Sequence, residues 1–248
     1  LRWAAPPGRR AGELCRREQG AAPVWLEGRK EHRGYVPRFL ALAEAEPQWI
    51  RPIAEACMDF LQLVEKNRSY RGFDESAQVS RGQLERLVEC ARLCPSSVNM
   101  QPLKYYLSCD AETNARIQPL TGWARRLPEK NLPYPGHRPT AFIVICHDTL
   151  LAPNPERFYK DVGIVAQTML LGAVDMGLGG IMIGNFAPEK VRQALGLRET
   201  LVPVLILALG KPDEAIVLEE AKGGEIGYYR DADDVHHVPK RPLSELIV

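Results

Sequence analysis

Residues 161–184 read DVGIVAQTMLLGAVDMGLGGIMIG. The pattern predicts a helix from Asp161 to Met176 that is apolar on nearly every side, and such a helix belongs at the centre of a fold or of a dimer. The Gly177-Leu178-Gly179-Gly180 turn ends this helix, and a short strand is predicted over Ile181-Met182-Ile183-Gly184. This order is the reverse of the strand-turn-helix order that binds pyrophosphate, and the glycines do not match GxGxxG. A Rossmann dinucleotide site is therefore not expected.

Helices and strands are both predicted on either side of this stretch. Helices are expected over 59–66, 81–94, 114–123 and 188–195, and strands over 105–109, 141–146 and 202–209. Ser80 is the expected N-cap of the second helix. A proline-rich loop over 127–139 has the length of loops that cover a site, and residues 210–248 are expected to be mostly loop. Because helices and strands do not strictly alternate, the expected class is α+β.

The composition describes a globular chain without a strong overall field. The chain has 248 residues, of which 45% are hydrophobic, with 32 Lys and Arg against 31 Asp and Glu. This balance gives no reason to expect a nucleic-acid or membrane partner, and the apolar runs have the length of strands rather than of membrane spans. Six cysteines without paired spacing favour reduced thiols and a cytoplasmic location.

The first 57 residues differ from the rest. They contain no Ser, Thr, Asn or Asp, so helix caps and tight turns lack their usual residues. Neither a transit peptide nor a secretory signal is indicated. We expect 1–57 to be a poorly ordered or non-native extension ahead of Met58, and 58–248 to be one domain. The alternative is a docking arm with a short helix near 39–45.

The helix predicted over 81–94 runs into a polar turn, where residues 94–102 read CPSSVNMQP. Pro95 and Pro102 fix φ, and hydroxyl and amide side chains lie between them. Such a frame suits a planar heteroaromatic ligand with donors and acceptors along its edge. The same residues are common in a helix cap followed by an ordinary turn, so the segment alone leaves both interpretations open.

A basic turn follows the first predicted helix, where residues 67–71 read NRSYR. The planar guanidinium group matches phosphate oxygens in a bidentate way, so Arg68, Ser69 and Arg71 indicate a phosphate site. A solvated basic turn is the alternative.

No metal site is expected. Cys90 and Cys94 are four residues apart on a predicted helix, but no second ligand pair accompanies them. The acidic segment 231–237 is interpreted as a solvated loop.

Together, the turns at 67–71 and 95–102 and the stretch 161–184 resemble the FMN-dependent nitroreductase family. The resemblance covers about residues 59–248, and the order of the motifs is its specific feature. It implies a three-layer sandwich with a central, mainly antiparallel sheet flanked by helices. It also implies a homodimer with FMN sites at the interface.

The resemblance further implies which residues bind FMN. The phosphate and ribityl chain would be bound by Arg68, Ser69 and Arg71. The isoalloxazine ring would be contacted by Pro95, Ser96, Ser97, Asn99 and Gln101 of the partner subunit. Backbone groups of Met182, Ile183 and Gly184 are expected near the reactive flavin nitrogen. Lys240 and Arg241 are expected to close on the phosphate, with Lys211 as an open alternative.

The sequence departs from the family pattern at two places within this region. Asn67 stands where many members have a basic residue, and Gly180-Ile181-Met182 replaces the commoner Thr-Cys-Trp. The first departure weakens the expected phosphate contacts, and the second leaves the ring face less aromatic. The extension 1–57 has no recognised counterpart.

The activity implied by the resemblance is reduction of small electrophilic acceptors, such as nitroaromatics and quinones. NADH or NADPH would reduce FMN in a ping-pong mechanism through flavin N5, with the chemistry carried by the cofactor and no catalytic side chain required. The alternatives are another FMN enzyme on the same scaffold, of dehalogenase, flavin-cleaving or azoline-oxidising type, and a non-catalytic flavin-binding protein.

Overall fold

The computed structural model describes residues 59–248, and the predictions for 1–57 lie outside these residues. The helices are α1 (Phe60–Lys66), α2 (Arg81–Arg92), α3 (Ala111–Ile117), α4 (Tyr159–Asp175) and α5 (Pro188–Ala194). The strands are β1 (Leu103–Ser108), β2 (Ala141–Asp148), β3 (Gly179–Ile183), β4 (Leu201–Gly210), β5 (Ile216–Glu220), β6 (Tyr229–Arg230) and β7 (His236–Lys240).

The fold has three layers. A four-stranded antiparallel sheet of order β1-β2-β4-β3 lies between two layers of helices. Alternate residues of β2 point to opposite faces, and all of them are buried. Ile143 and Ile145 pack against α2 and α4, whereas Phe142 and Val144 pack on the side of α3 and α5. Burial on both faces explains the apolar run 141–146 of β2, and the predicted α+β three-layer sandwich is confirmed.

Local signals in the sequence set most helix boundaries. The Ser80 hydroxyl accepts from the Gln83 N–H at 3.3 Å, while Gln83 Oε1 accepts from the Ser80 N–H at 2.9 Å, so the predicted cap is confirmed. Helix α3 begins three residues before the predicted position, because Asp110 caps it by accepting from the Thr113 N–H at 2.8 Å. Among residues 59–248 no helix is long and apolar enough to cross a membrane.

The prediction that residues 210–248 are mostly loop is confirmed, since most of them lie outside helices and strands, but the sequence did not predict a sheet there. They contain a second sheet of order β5-β7-β6, in which β5 and β7 are parallel and β6 and β7 are antiparallel. The central strand β7 reads HHVPK, a composition with low strand propensity. Pro239 is accommodated because the two-residue strand β6 pairs only with His236 and His237.

Gly180 is required by close packing around the start of β3. A Cβ at this position would lie 2.7 Å from the Ala208 carbonyl oxygen and 2.8 Å from Leu170 Cδ2. We expect Gly180→Ala to lower the free energy of unfolding by about 1 to 3 kcal/mol, since overpacking forces the backbone apart. Urea denaturation monitored by circular dichroism measures this change.

Gly82→Ala is the matched control for this substitution. Gly82 lies in α2, and a Cβ there would have nothing within 4 Å, so we expect stabilisation by up to about 1 kcal/mol. Equal stability changes in the two variants would contradict the packing argument.

Candidate functional site

The basic turn after α1 is attached to the first residues of β3. Ser69 forms an isolated parallel bridge with Gly180, and the Tyr70 N–H donates to the Gly180 carbonyl oxygen at 3.2 Å. Gly179 permits this approach, because a Cβ there would lie 2.5 Å from the Tyr70 ring. Two of the segments singled out in the sequence, 67–71 and 179–184, are thus adjacent in one chain.

A cavity of about 310 Å³ opens beside this turn. Four of the predicted phosphate-binding residues line it, namely Arg68, Ser69, Arg71 and Lys240. The other lining residues are Asn67, Ile216, Tyr228, His236 and Val238. Sequence reasoning missed Tyr228 and His236, because His236 lies in the second sheet and Tyr228 immediately precedes its strand β6, and the sequence did not predict this sheet.

Arg71 is the most constrained cation in this cavity, with only 8% of its surface exposed. Its Nη1 donates to the Ser69 carbonyl oxygen at 3.0 Å, and its Cζ lies 5.1 Å from the centroid of the Tyr228 ring. Burial lowers the pKa of this guanidinium, because the charged form loses solvation. A bound anion would stabilise the charged guanidinium and so oppose the effect of burial on its pKa.

Arg68 is held less tightly but in a similar way. Its Nη2 donates to the Val64 carbonyl oxygen at 2.7 Å, and burial lowers its pKa also. The Nε atoms of Arg68 and Arg71 are buried and have no hydrogen-bond partner within residues 59–248. Two unsatisfied guanidinium donors beside one cavity fit a phosphate group.

A buried carboxylate supports the basic turn from behind. Glu214 accepts from the backbone N–H groups of Arg71 and Gly72, the latter at 3.3 Å, and forms an ion pair with Arg230. The side chains of Glu214 and Arg230 are 5% and 3% exposed. Burial raises the pKa of Glu214, and the hydrogen bonds and the neighbouring Arg230 oppose this rise. No local sequence pattern could have revealed this long-range pair.

The same ion pair continues to the loop that was predicted to cover a site. Arg230 Nη1 lies 2.6 Å from Asp234 Oδ2, and Lys130 Nζ lies 2.9 Å from Asp234 Oδ1. The Tyr134 hydroxyl also contacts Asp234 at 3.3 Å. Side chains of the 127–139 loop are therefore linked to the backbone of the basic turn through three charged groups, Asp234, Arg230 and Glu214.

The polar turn after α2 is fixed by Asp161 of α4, which is 4% exposed. The Ser96 hydroxyl and the Ser97 N–H donate to Asp161 Oδ2 at 2.7 and 2.9 Å. The Gln101 N–H donates to Ser96 Oγ at 3.0 Å, and Gln101 Nε2 donates to Asn99 Oδ1 at 2.9 Å. These hydrogen bonds fix the shape of the turn. Asp161 was missed as a functional candidate.

The polar turn and the basic turn do not line the same cavity. Pro95, Ser96 and Gln101 line a separate cavity of about 520 Å³ together with Asp161 and Tyr105. Ser97 and Asn99 are exposed on the tip of the turn. Within one chain, the two predicted walls of the flavin site are therefore apart.

The third group of predicted residues, Met182, Ile183 and Gly184, lies at the end of β3. Ile183 is buried against the core and Met182 is half-buried on the opposite face. Since β3 is an edge strand, its outer backbone groups are left unpaired with any strand of the described sheet. Gly184 is exposed and lines a cavity of about 560 Å³ with Phe186 and Tyr159.

The three candidates for the C-terminal phosphate contact are placed differently. Lys240 lines the cavity beside the basic turn. Arg241 Nη1 instead pairs with Glu245 Oε2 at 2.9 Å, and Lys211 Nζ lies 3.3 Å from Asp74 Oδ2. The cavity thus brings together Lys240 and the basic turn, and it does not include Arg241 or Lys211.

Asp161→Ala tests how the polar turn is held. The substitution leaves the Ser96 hydroxyl and the Ser97 N–H without their acceptor, so we expect the free energy of unfolding to fall by about 1 to 3 kcal/mol in urea denaturation. Asp175→Ala, at the exposed C-terminal end of the same helix, is the control and should be nearly neutral. A neutral Asp161→Ala would show that the turn does not depend on this carboxylate.

Comparison with known proteins gives a consistent result. The model of the Nitroreductase family matches residues 64–211. A protein of Archaeoglobus fulgidus, provisionally named NADH dehydrogenase/NAD(P)H nitroreductase, is 26% identical over 159 residues, which are 62% of this chain and 86% of that protein. The NADPH-flavin oxidoreductase of Vibrio harveyi is 25% identical over 168 residues, 62% of this chain and 66% of that protein.

The fold is also shared with solved structures. A nitroreductase family protein from Streptococcus pneumoniae superposes with a TM-score of 0.56 at 20% identity, covering 77% of this chain and 99% of that chain. At this identity the likeness concerns the fold alone. The family match spans the basic turn, the polar turn, α4 and β3, and it ends just after β4. The chain belongs to the nitroreductase family.

Proposed function

We propose that this protein is an FMN-dependent NAD(P)H oxidoreductase that reduces small electrophilic acceptors, such as nitroaromatics and quinones. Membership of the nitroreductase family supports an oxidoreductase, and relatives named NADPH-flavin oxidoreductase and FMN reductase support the cofactor and the electron donor. The observation that carries the proposal is the 310 Å³ cavity, where Arg68 and Arg71 present buried donors without partners.

The residues around this cavity fit the phosphate end of FMN. Arg68 and Arg71 offer charge-assisted hydrogen bonds, Ser69 offers a hydroxyl, and Lys240 adds a third cation. Asn67, which also lines the cavity, contributes an amide in place of the basic residue common in the family. When bound, FMN supplies the hydride and electron transfer between the nicotinamide and the acceptor.

The edge strand β3 fits the other end of the cofactor. The basic turn is bonded to Gly180, so a ligand held at the turn extends along the outer side of β3 toward Met182, Ile183 and Gly184. The side chain of Ile183 is buried, and its contribution is therefore its backbone. Gly184 leaves room for a flat ligand, since a Cβ there would have nothing within 4 Å.

A homodimer completes the site in this proposal. The polar turn lines a different cavity from the basic turn of its own chain, so it serves an FMN site by reaching a second subunit. Large apolar side chains near the turn and on α1 are exposed, as at an interface. They are Phe60, Leu61, Leu93 and Val98, with exposures of 67%, 62%, 70% and 85%.

The purified protein tests the proposed activity directly. We expect a yellow preparation, or one that takes up added FMN, and oxidation of NADH or NADPH when a quinone or nitroaromatic is supplied. Double-reciprocal plots should be parallel, because the donor leaves before the acceptor binds. A colourless protein that binds no added FMN would contradict the proposal, and intersecting plots would contradict the ping-pong order.

Mixed dimers test whether the polar turn crosses the interface. Arg68→Ala should weaken FMN binding by about 1.5 to 3 kcal/mol, the range for a hydrogen bond to a charged group, and Asn99→Ala should also weaken it. If the turn serves the other subunit, a dimer of one Arg68→Ala chain and one Asn99→Ala chain has one intact site and one doubly altered site. Differently tagged chains, purified together, should then bind FMN with wild-type affinity at about half of the sites.

The surface variant Arg86→Ala is the control for the loss of an arginine, because Arg86 is exposed on α2 and lines none of these cavities. If mixed dimers show only weakened sites, the polar turn acts within its own chain.

A further inference from the structure

His236, the first residue of β7, is buried in the wall of the phosphate cavity. It is 2% exposed and lines the cavity together with Arg68, Ser69, Arg71 and Lys240. The next residue, His237, points to the opposite face of the strand, where it stacks on Tyr229 and pairs with Asp231 at 3.0 Å. Two adjacent histidines thus have different surroundings.

The contact with Arg71 decides which ring nitrogen of His236 carries the proton. Arg71 Nη1 lies 3.2 Å from His236 Nε2, and a guanidinium can only donate. Nε2 is therefore the acceptor and Nδ1 carries the hydrogen in the neutral ring. This Nδ1–H group is buried and has no hydrogen-bond partner among the residues that the structure describes. Since His236 lines the cavity, the residues around it hold three buried donors without a partner, this Nδ1–H and the Nε groups of Arg68 and Arg71.

The groups around His236 keep the ring neutral in the free protein. Burial lowers its pKa to about 4, with Arg71, Arg230 and His237 acting in the same direction. Asp234 opposes them. The other titratable groups that line the cavity with His236 are Tyr228, whose ring centroid lies 5.3 Å away, Arg68 and Lys240. A dianion placed among these cations would reverse the balance and favour the protonated ring.

We propose that His236 is a further ligand of the phosphate group in this cavity and that it takes up a proton from solvent when the phosphate binds. This inference rests on the proposed function, because FMN is the phosphate ester concerned. The neutral ring donates through Nδ1–H at neutral pH. In the complex the added proton binds to Nε2, and Arg71 Nη1 then donates to the phosphate instead of to this nitrogen, because an imidazolium and a guanidinium are both donors. The imidazolium forms at a pH where the free protein still holds the neutral ring.

The sign of the pH dependence follows from proton linkage. Between the low pKa of the free protein and the raised pKa of the complex, the complex holds more protons, so binding strengthens as the pH falls. The phosphate of FMN has its second pKa near 6, and its protonation weakens binding over the same range. In the wild type, protonation of His236 offsets this loss of affinity, whereas a variant without the imidazole lacks the compensating proton.

The experiment measures FMN dissociation constants by quenching of flavin fluorescence between pH 5 and 8. At pH 7.5 we expect His236→Gln to bind FMN about ten- to a hundredfold more weakly, because a hydrogen bond to a charged group is lost. The ratio of variant to wild-type dissociation constants should rise several-fold further as the pH falls to 5. In the wild type, the His236 ring resonance should titrate at higher pH with FMN bound than without it.

Three controls separate this role from a structural one. His237→Gln alters the adjacent residue on the other face of β7, and its ratio should stay near one at every pH. Riboflavin, which lacks the phosphate, should not distinguish His236→Gln from the wild type. His236→Asn keeps an amide near the position of Nδ1, so it should recover part of the affinity at pH 7.5 without the pH dependence. His236→Asn also replaces His236→Gln if that variant fails to fold.

A ratio near one, or one that does not change with pH, overturns the inference while leaving the proposed function intact. Failure of the wild type to bind FMN at any pH overturns both.

Discussion

The contact between the basic turn and the start of β3 is the constraint on which the candidate site depends. The Tyr70 N–H donates to the Gly180 carbonyl oxygen at 3.2 Å, which joins the segment after α1 to the edge of the central sheet. This approach needs two residues without side chains, since a Cβ on Gly179 would enter the Tyr70 ring and one on Gly180 would meet β4. The departure from Thr-Cys-Trp at 180–182 therefore has a structural reason at its first position.

The second sheet supplies the charged groups that support the basic turn. Glu214, just before β5, accepts from the Arg71 and Gly72 N–H groups, and Arg230 of β6 neutralises it. A buried carboxylate paired in this way directs the Arg71 backbone while leaving its guanidinium for a ligand. Because Asp234 and Lys130 extend the chain of ion pairs to the 127–139 loop, the loop is positioned by the same charges.

Sequence patterns predicted the α+β class because its signals are local, whereas the three-layer sandwich was implied by the family resemblance. The apolar run of β2, the capping box at Ser80 and the glycines after α4 each determine structure within a few residues. The second sheet was missed because β7 has a weak strand composition and is formed by parallel pairing with β5, about twenty residues away. His236, Tyr228 and Glu214 were missed as well, because their place in the candidate site depends on neighbours that only the tertiary structure brings together.

The polar turn keeps a defined conformation although it does not line the cavity beside the basic turn. Val98, Asn99 and Gln101 have φ values of 48°, 53° and 50°, and this conformation is unfavourable for a β-branched residue such as Val98. The turn keeps it because Asp161 binds the Ser96 hydroxyl and the Ser97 N–H from within the same chain. Its shape is therefore set before any second subunit arrives. In the proposed dimer, a preformed turn would lose less conformational entropy on association, and this gain would offset the strain at Val98.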